Sequence, residues 1–261
     1  MSPAAHNIAA GDLDMHYLEA GAGRPLVLLH GGTATSSSWG AALPRLAESF
    51  RVIAPDLRGH GRTNNPADRL GYDQMADDLA ALLDALDLPE PLLLGYSDGG
   101  QVLLEFGLRH PGRAGAFVLG GVLSEPTAAY RDVLAGWGFP APGAIDLDRI
   151  AAVFGPHLDY IRSAHGDGSD PDYWRRYLGQ MSSLWHGLPH YDADRLSSID
   201  VPTLIISGDR DELAGPEQAL RLYRLLPRAE LAILPAAEHD AVEDPLFWTV
   251  VGSFLARQPS G

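Results

Sequence analysis

The 261-residue chain contains no cysteine. That absence removes disulfides, thiolate nucleophiles and Cys-ligated zinc together, and it suits a reducing compartment, so a cytoplasmic location is expected. No apolar run approaches the ~18–20 residues that a bilayer-crossing helix needs, so none is expected to span a membrane. The opening MSPAAHNIAAGDLDM has neither the basic start nor the apolar stretch of a secretory signal. Positive charge is scarce as well: 19 basic residues stand against 34 acidic ones, a formal net charge of −15. No basic cluster or RNA-binding aromatic motif offsets this, which excludes nucleic acid and anionic membranes as expected partners. No internal repeat, heptad seam or long unpaired edge is evident. With 46% hydrophobic and 20% charged residues, the composition is that of a soluble globular protein with ample chain for a core.

Short β-rich runs alternate with helical patterns, which predicts an α/β fold with a mostly parallel central sheet and helices on both faces. Residues 25–30 (PLVLLH), 51–56 (RVIAPD) and 91–96 (PLLLGY) read as strands, the first apolar throughout as expected of a strand buried on both sides. Residues 113–119, 201–207 and 230–234 supply three more, and the first twenty residues suggest an antiparallel hairpin at the sheet edge. Between strands, residues 72–88 place apolar side chains at 75, 79, 82, 83 and 86 on one helical face, with the carboxylates mostly elsewhere. Helices are also predicted at 216–226 and 243–257. The alternation breaks between 122 and 198, where loop-like GWGFPAPGA and HGDGSDPDYW sit among short helical stretches such as 173–184. This segment carries nearly half of the chain's Phe, Trp and Tyr residues. It reads as a helical cap inserted over the end of the sheet, with residues 1–121 and 199–261 forming the core. Trp137, Trp174 and Trp185 in the insertion are candidates to line an apolar acyl or alcohol pocket, with packing in the insertion's own core as the alternative.

The strand at 91–96 runs into Gly95-Tyr96-Ser97-Asp98-Gly99-Gly100 and then into a helical pattern that stops at Pro111. A strand-to-helix turn this tight strains the central backbone and leaves no room for side chains at the flanking positions, which accounts for Gly95 and Gly99. It lifts the Ser97 hydroxyl above the sheet and aims a helix N-terminus at developing negative charge. A serine hydroxyl needs a base. Ten histidines are present, but only His239 lies beyond residue 190, five residues after the last predicted strand. The imidazole in turn needs a carboxylate to fix its tautomer. Asp209, Asp211 and Glu212 all follow the strand at 201–207, and Glu125 follows the preceding one, so position alone does not choose among them. Two backbone N–H donors for an oxyanion are available at Asp98, just after the serine, and in the loop His30-Gly31-Gly32-Thr33. His30 can serve as a second base or order that loop by hydrogen bonding.

With HGG at 30–32, DLRGHGRT at 56–63, GYSDGG at 95–100, PTLIISGDRD at 202–211 and the His239 loop, nearly the whole chain resembles the α/β-hydrolase superfamily. The resemblance implies that fold, a Ser-His-Asp triad, an acyl-enzyme intermediate, and no metal or organic cofactor. It points to Asp211, which stands three residues after Gly208 in a G-x-x-D pattern, and it makes His60 part of a structural RGHG turn. Gly32 and Asp98 are then the expected oxyanion donors. Ser97 stands where epoxide hydrolases and haloalkane dehalogenases of this fold carry Asp, which disfavours both. Thr33 and Ala34 replace the Pro-Gly of the proline-iminopeptidase pattern HGGPG. Thioesterases and C–C hydrolases of the fold more often carry Met after the serine, whereas the S-D-G-G turn is similar to that of valacyclovir-hydrolase-like esterases. The carboxylate of Asp98 can attract an ammonium group on the acyl part and repel an anion, or it can cap the helix. The expected activity is hydrolysis of a small-molecule carboxylic ester or lactone. The alternatives are C–C bond hydrolysis, thioester hydrolysis, cofactor-free peroxidase or perhydrolase chemistry, and a non-hydrolytic tailoring role in secondary metabolism.

Overall fold

The computed structural model describes residues 2–166 and 170–259. The middle of the expected HGDGSDPDYW loop, residues 167–169, lies outside the described residues. Eight strands form one sheet in the order β1 (Ala4–Ala10), β2 (Leu13–Ala20), β4 (Arg51–Pro55), β3 (Pro25–Leu29), β5 (Leu92–Tyr96), β6 (Ala116–Gly120), β7 (Thr203–Gly208), β8 (Ala229–Leu234). The first two form the expected edge hairpin, β2 joins β4 antiparallel, and all later pairings are parallel. This is the α/β-hydrolase arrangement.

Strand side chains alternate between two apolar layers, as the pleat requires. Val27, Leu29, Ile53, Leu93, Phe117 and Leu119 face one layer, into which α2 (Tyr72–Ala85), α3 (Asp98–Arg109) and α9 (Pro216–Leu225) pack. Leu26, Leu28, Val52, Leu94, Val118 and Ile206 face the other, covered by α1 (Ala42–Leu46) and α10 (Pro245–Ala256). Helix α2 buries Met75, Leu79, Leu82 and Leu83 as its period requires, while Leu86 is only half-buried at the C-cap. One carboxylate breaks the pattern. Asp78 is buried because its oxygens accept from the equally buried Arg58, whose guanidinium also reaches Asp12. The C-terminal helix starts at Pro245 rather than 243, since Asp244 accepts from the Leu246 N–H as its cap and proline suits the first helical position.

Between β6 and β7 the chain leaves the sheet and forms α4 (Ala128–Trp137), α5 (Leu147–Phe154), α6 (Pro156–Ala164), α7 (Tyr173–His186) and α8 (Ala193–Ser197). Tyr173 of α7 donates to the Gly59 carbonyl and Tyr160 of α6 meets the Thr35 hydroxyl, so these helices rest on loops that follow β3 and β4. Among the described residues no helix is long and apolar enough to cross a membrane.

The central crossing depends on absent side chains. A Cβ on Gly99 would overlap the Leu29 carbonyl oxygen, and a Cβ on Gly136 would meet nothing within 4 Å. We therefore expect Gly99→Ala to lower stability by at least ~2 kcal/mol through overpacking against backbone. Gly136→Ala, in α4, should raise it by up to ~1 kcal/mol through helix propensity. Urea unfolding of the two variants beside wild type checks both signs.

Candidate active site

Strand β5 ends at Tyr96 and α3 begins at Asp98, so Ser97 alone makes the turn, at φ 53° and ψ −117°. A non-glycine residue held at positive φ is strained by ~1–3 kcal/mol and persists only where its surroundings fix it. Here they do. The Ser97 N–H donates to the Gly120 carbonyl at 2.7 Å, and its own carbonyl accepts from Gly100 and Gln101 at 2.9 and 3.0 Å. A Cβ on Gly95 would overlap the Gly99 carbonyl, so the strand and the helix meet backbone to backbone.

His239 lies on the loop between β8 and α10. Its backbone carbonyl accepts from the Tyr96 hydroxyl at 2.8 Å, which fastens that loop to the residue beside Ser97. Its Nε2 stands 3.0 Å from Ser97 Oγ, and its Nδ1 stands 2.9 Å from Asp211 Oδ2. A carboxylate only accepts, so Nδ1 carries the ring proton and Nε2 presents its lone pair to the serine O–H. The geometry thus separates the four acids that position left open, of which Glu212 is exposed. Asp211 points at the ring, whereas Asp209 is exposed and contributes only its backbone N–H, which donates to the Leu234 carbonyl at 3.0 Å. Glu125 pairs with His190 instead. Burial alone would raise the Asp211 pKa. The His239 ring and the N–H groups of Ala214 and Leu213, both bonded to Oδ1, more than offset this and hold it below the ordinary carboxylate value.

A model of the alpha/beta hydrolase family matches residues 26–250. The chain belongs to this family. It is similar to 2-hydroxymuconate semialdehyde hydrolase of Pseudomonas sp. (strain CF600), 28% identical over 265 residues that cover 96% of this chain and 93% of that protein. A non-heme haloperoxidase of Rhodococcus erythropolis is 28% identical over 249 residues, covering 88% of this chain and 91% of that protein. Among solved structures, esterase RhEst1 from Rhodococcus sp. ECU1013 superposes with a TM-score of 0.77 at 26% identity, covering 99% of this chain and 100% of that chain.

As in a working alpha/beta hydrolase, the serine is reached from open space, here by two cavities. One, of about 410 Å³, runs from Ser97 and His239 past Trp39 and Trp248 to the exposed residues Ser38, Gly40, Ala41 and Glu243. The other, of about 150 Å³, is bounded on one side by the helical insertion, including the buried Tyr130, Leu134, Trp185 and Leu188. Gly32 lines both, and Asp98 lines the smaller one. As the first residue of α3, Asp98 has an N–H without a partner inside the helix. Neither cavity is lined by an arginine, and the chain has no lysine. Among the described residues no group of three or more His, Asp or Glu side chains could hold a metal ion.

Of the three tryptophans of the insertion, Trp137 and Trp185 line the smaller cavity. Trp174 does not. It is buried in the apolar layer that the insertion shares with the core, and the guanidinium groups of Arg162 and Arg175 stack on its ring, 4.6 and 4.5 Å from the centroid. His30 braces the loop: its Nε2 accepts from the Leu57 N–H at 3.0 Å and its Nδ1 donates to the Gly31 carbonyl at 2.8 Å.

The carboxylate of Asp98 does not cap its helix. Instead it accepts from the Tyr72 hydroxyl at 2.7 Å and from the Trp185 indole N–H at 2.8 Å, joining α2, the serine turn and α7. Sequence gave no sign of Tyr72, because the three residues are far apart in the chain. Burial pushes the Asp98 pKa up, against those two hydrogen bonds and the nearby His239. A raised pKa means that the folded state binds the proton more tightly. Its stabilising contribution is complete below the ordinary value of 3.8 and is lost as pH rises through the raised one. Asp98→Asn keeps both bonds if the Tyr72 hydroxyl turns to accept, and it removes this titration. We expect Asn to leave neutral-pH stability equal or higher and to flatten its pH dependence above about pH 4. Asp98→Ala, which strands a buried hydroxyl and an indole N–H, should cost ~2 kcal/mol or more. Thermal melts across pH check both.

Proposed function

We propose that the protein is a serine hydrolase that cleaves a neutral carboxylic ester or lactone with a small acyl group, through an acyl-enzyme on Ser97. The observation that carries this is the hydrogen-bonded line Asp211–His239–Ser97 standing where the two cavities meet. Ser97 Oγ attacks the carbonyl carbon while His239 Nε2 takes its proton, and Asp211 stabilises the resulting imidazolium. The backbone N–H groups of Gly32 and Asp98 receive the oxyanion. Collapse breaks the ester C–O bond, and the departing alkoxide takes the proton back from Nε2. Water then gives a proton to Nε2 and adds to the acyl carbon. Release of the acid restores Ser97 and completes the cycle.

The acyl half stays on the enzyme while the alcohol leaves and water enters. The cavity bordered by exposed residues therefore suits the leaving group, and the one walled by the insertion suits the acyl group, which makes the insertion a cap. At about 150 Å³ against about 410 Å³, the acyl cavity is the smaller of the two, which favours a short acyl chain. The similarity to 2-hydroxymuconate semialdehyde hydrolase favours C–C bond hydrolysis as a second reading, since the same serine and base can attack a ketone. That relative's name denotes a carboxylate-bearing substrate. Here Asp98 and Glu243 face the two cavities and no arginine does, an arrangement that repels rather than pairs such a group.

Initial rates with a panel of esters test the reading. The butyryl ester of a neutral alcohol should be cleaved with kcat/KM at least ~10-fold above both its decanoyl and its succinyl analogues, and Ser97→Ala should lose at least ~1000-fold. Equal turnover of the butyryl and succinyl esters would remove the role given to Asp98. Faster cleavage of a dienoate ketone than of any ester would establish the second reading instead.

A further inference from the structure

Two histidines of the insertion close on a single residue of the loop after β3. Thr33 is β-branched yet sits at φ 59°, a left-handed conformation that such a residue avoids unless it is held there. Its carbonyl and its hydroxyl are both engaged from above. His165 Nε2 lies 3.1 Å from the Thr33 carbonyl oxygen, and His157 Nε2 lies 3.0 Å from the Thr33 hydroxyl. The proton positions on His165 follow from its other nitrogen. Nδ1 stands 2.9 Å from the Gly61 N–H, which can only donate, so Nδ1 is the acceptor and Nε2 carries the hydrogen given to Thr33. The ring stacks on Tyr177 of α7 at 4.3 Å between centroids and meets His60 edge-on at 5.6 Å. Burial lowers its pKa to about 4, so this neutral form persists at ordinary pH. One imidazole therefore ties the turn at 59–61 to the loop at 31–35.

The Thr33–Ala34 peptide whose carbonyl His165 holds gives its N–H to the Gly31 carbonyl at 3.3 Å, and that carbonyl shares a peptide with the Gly32 N–H. Gly32 has no slack to spare: a Cβ there would overlap the Asp98 carboxylate and press on Trp185. We propose that His165 is a positioning residue, holding Thr33 in its left-handed turn so that the loop presents the Gly32 N–H to the oxyanion. The role rests on the serine-hydrolase reading above. It adds that the insertion, beyond walling a cavity, sets the geometry of one oxyanion donor.

Two amide substitutions separate the two bonds of the ring. His165→Gln places a donor near the Nε2 position and gives up the Gly61 bond, while His165→Asn keeps an acceptor near Nδ1 and gives up the Thr33 bond. With the butyryl ester, Gln should stay within ~3-fold of wild type, whereas Asn should lose ~30-fold in kcat at unchanged KM, part of what a whole oxyanion donor is worth. Adding Thr33→Gly to the Asn variant should recover at least ~10-fold, because glycine adopts φ near 60° without being held. Equal losses in the two variants, a loss carried by KM, or no recovery in the double variant would overturn the role. Amide hydrogen exchange at residues 31–35 reads the clamp without turnover. It should quicken at least ~10-fold in His165→Asn and little in His165→Gln, and unchanged exchange in the Asn variant also overturns the role. If wild type shows no Ser97-dependent ester cleavage, the function reading fails by itself, and the exchange result still decides the clamp.

Discussion

The backbone of Ser97 is the constraint around which the molecule is arranged. Its φ of 53° is unfavourable for any residue with a Cβ, and nothing local to the tripeptide stabilises it. What holds it is the sheet on one side and a helix on the other. All five residues of β5 are buried between β3 and β6, and ten of the twelve residues of α3 are buried beneath the sheet. Burial of that much apolar surface, at about 25 cal/mol per Å², outweighs a few kcal/mol of strain. The requirement propagates outward. Gly95 and Gly99 must lack side chains, Leu29 must offer its bare backbone to Gly99, and Gly121 must turn away to leave room for His239, which its Cβ would otherwise crowd.

Above this fixed point the insertion shares one apolar layer with the core, and polar bonds join it to the site. Trp185 reaches Asp98, His165 reaches Thr33 and Gly61, and Tyr173 reaches Gly59. Each bond lands on the serine turn or on one of the two loops beside it. A cavity walled in this way is specified at its polar corners, and its apolar sides remain free to suit a particular acyl group. The charge of the chain works in the same direction. Acidic side chains stand at both cavities, Glu243 at one and Asp98 at the other, and no arginine lines either.

Much of this was legible in the sequence because it is written in short-range patterns. Six of the eight strands appear as short β-rich runs, the edge hairpin only as a suggestion in the first twenty residues, and the serine turn as glycines at fixed offsets. His239 is singled out because it alone follows the last strand. The choice of Asp211 over Asp209 needed a resemblance, because two carboxylates two residues apart on one loop differ only in where they point. What stayed hidden depends on partners distant in the chain. Asp98 bonds Tyr72 and Trp185, 26 and 87 residues away, and His165 bonds Thr33 across 132. Trp174 has the type and location of a pocket residue, yet it packs in the apolar core and lines neither cavity. The buried Asp78 was obscured for the same reason, since its partner Arg58 lies 20 residues earlier, on a turn rather than on a helix.

The account stands on Ser97 being an activated nucleophile with its oxyanion donors in place. Exposure of the pure protein to a fluorophosphonate, followed by intact mass, tests this directly, because the reagent needs both features and no knowledge of the substrate. The account expects one covalent adduct on wild type and none on Ser97→Ala. No adduct on wild type, or an adduct that survives the substitution, would contradict it.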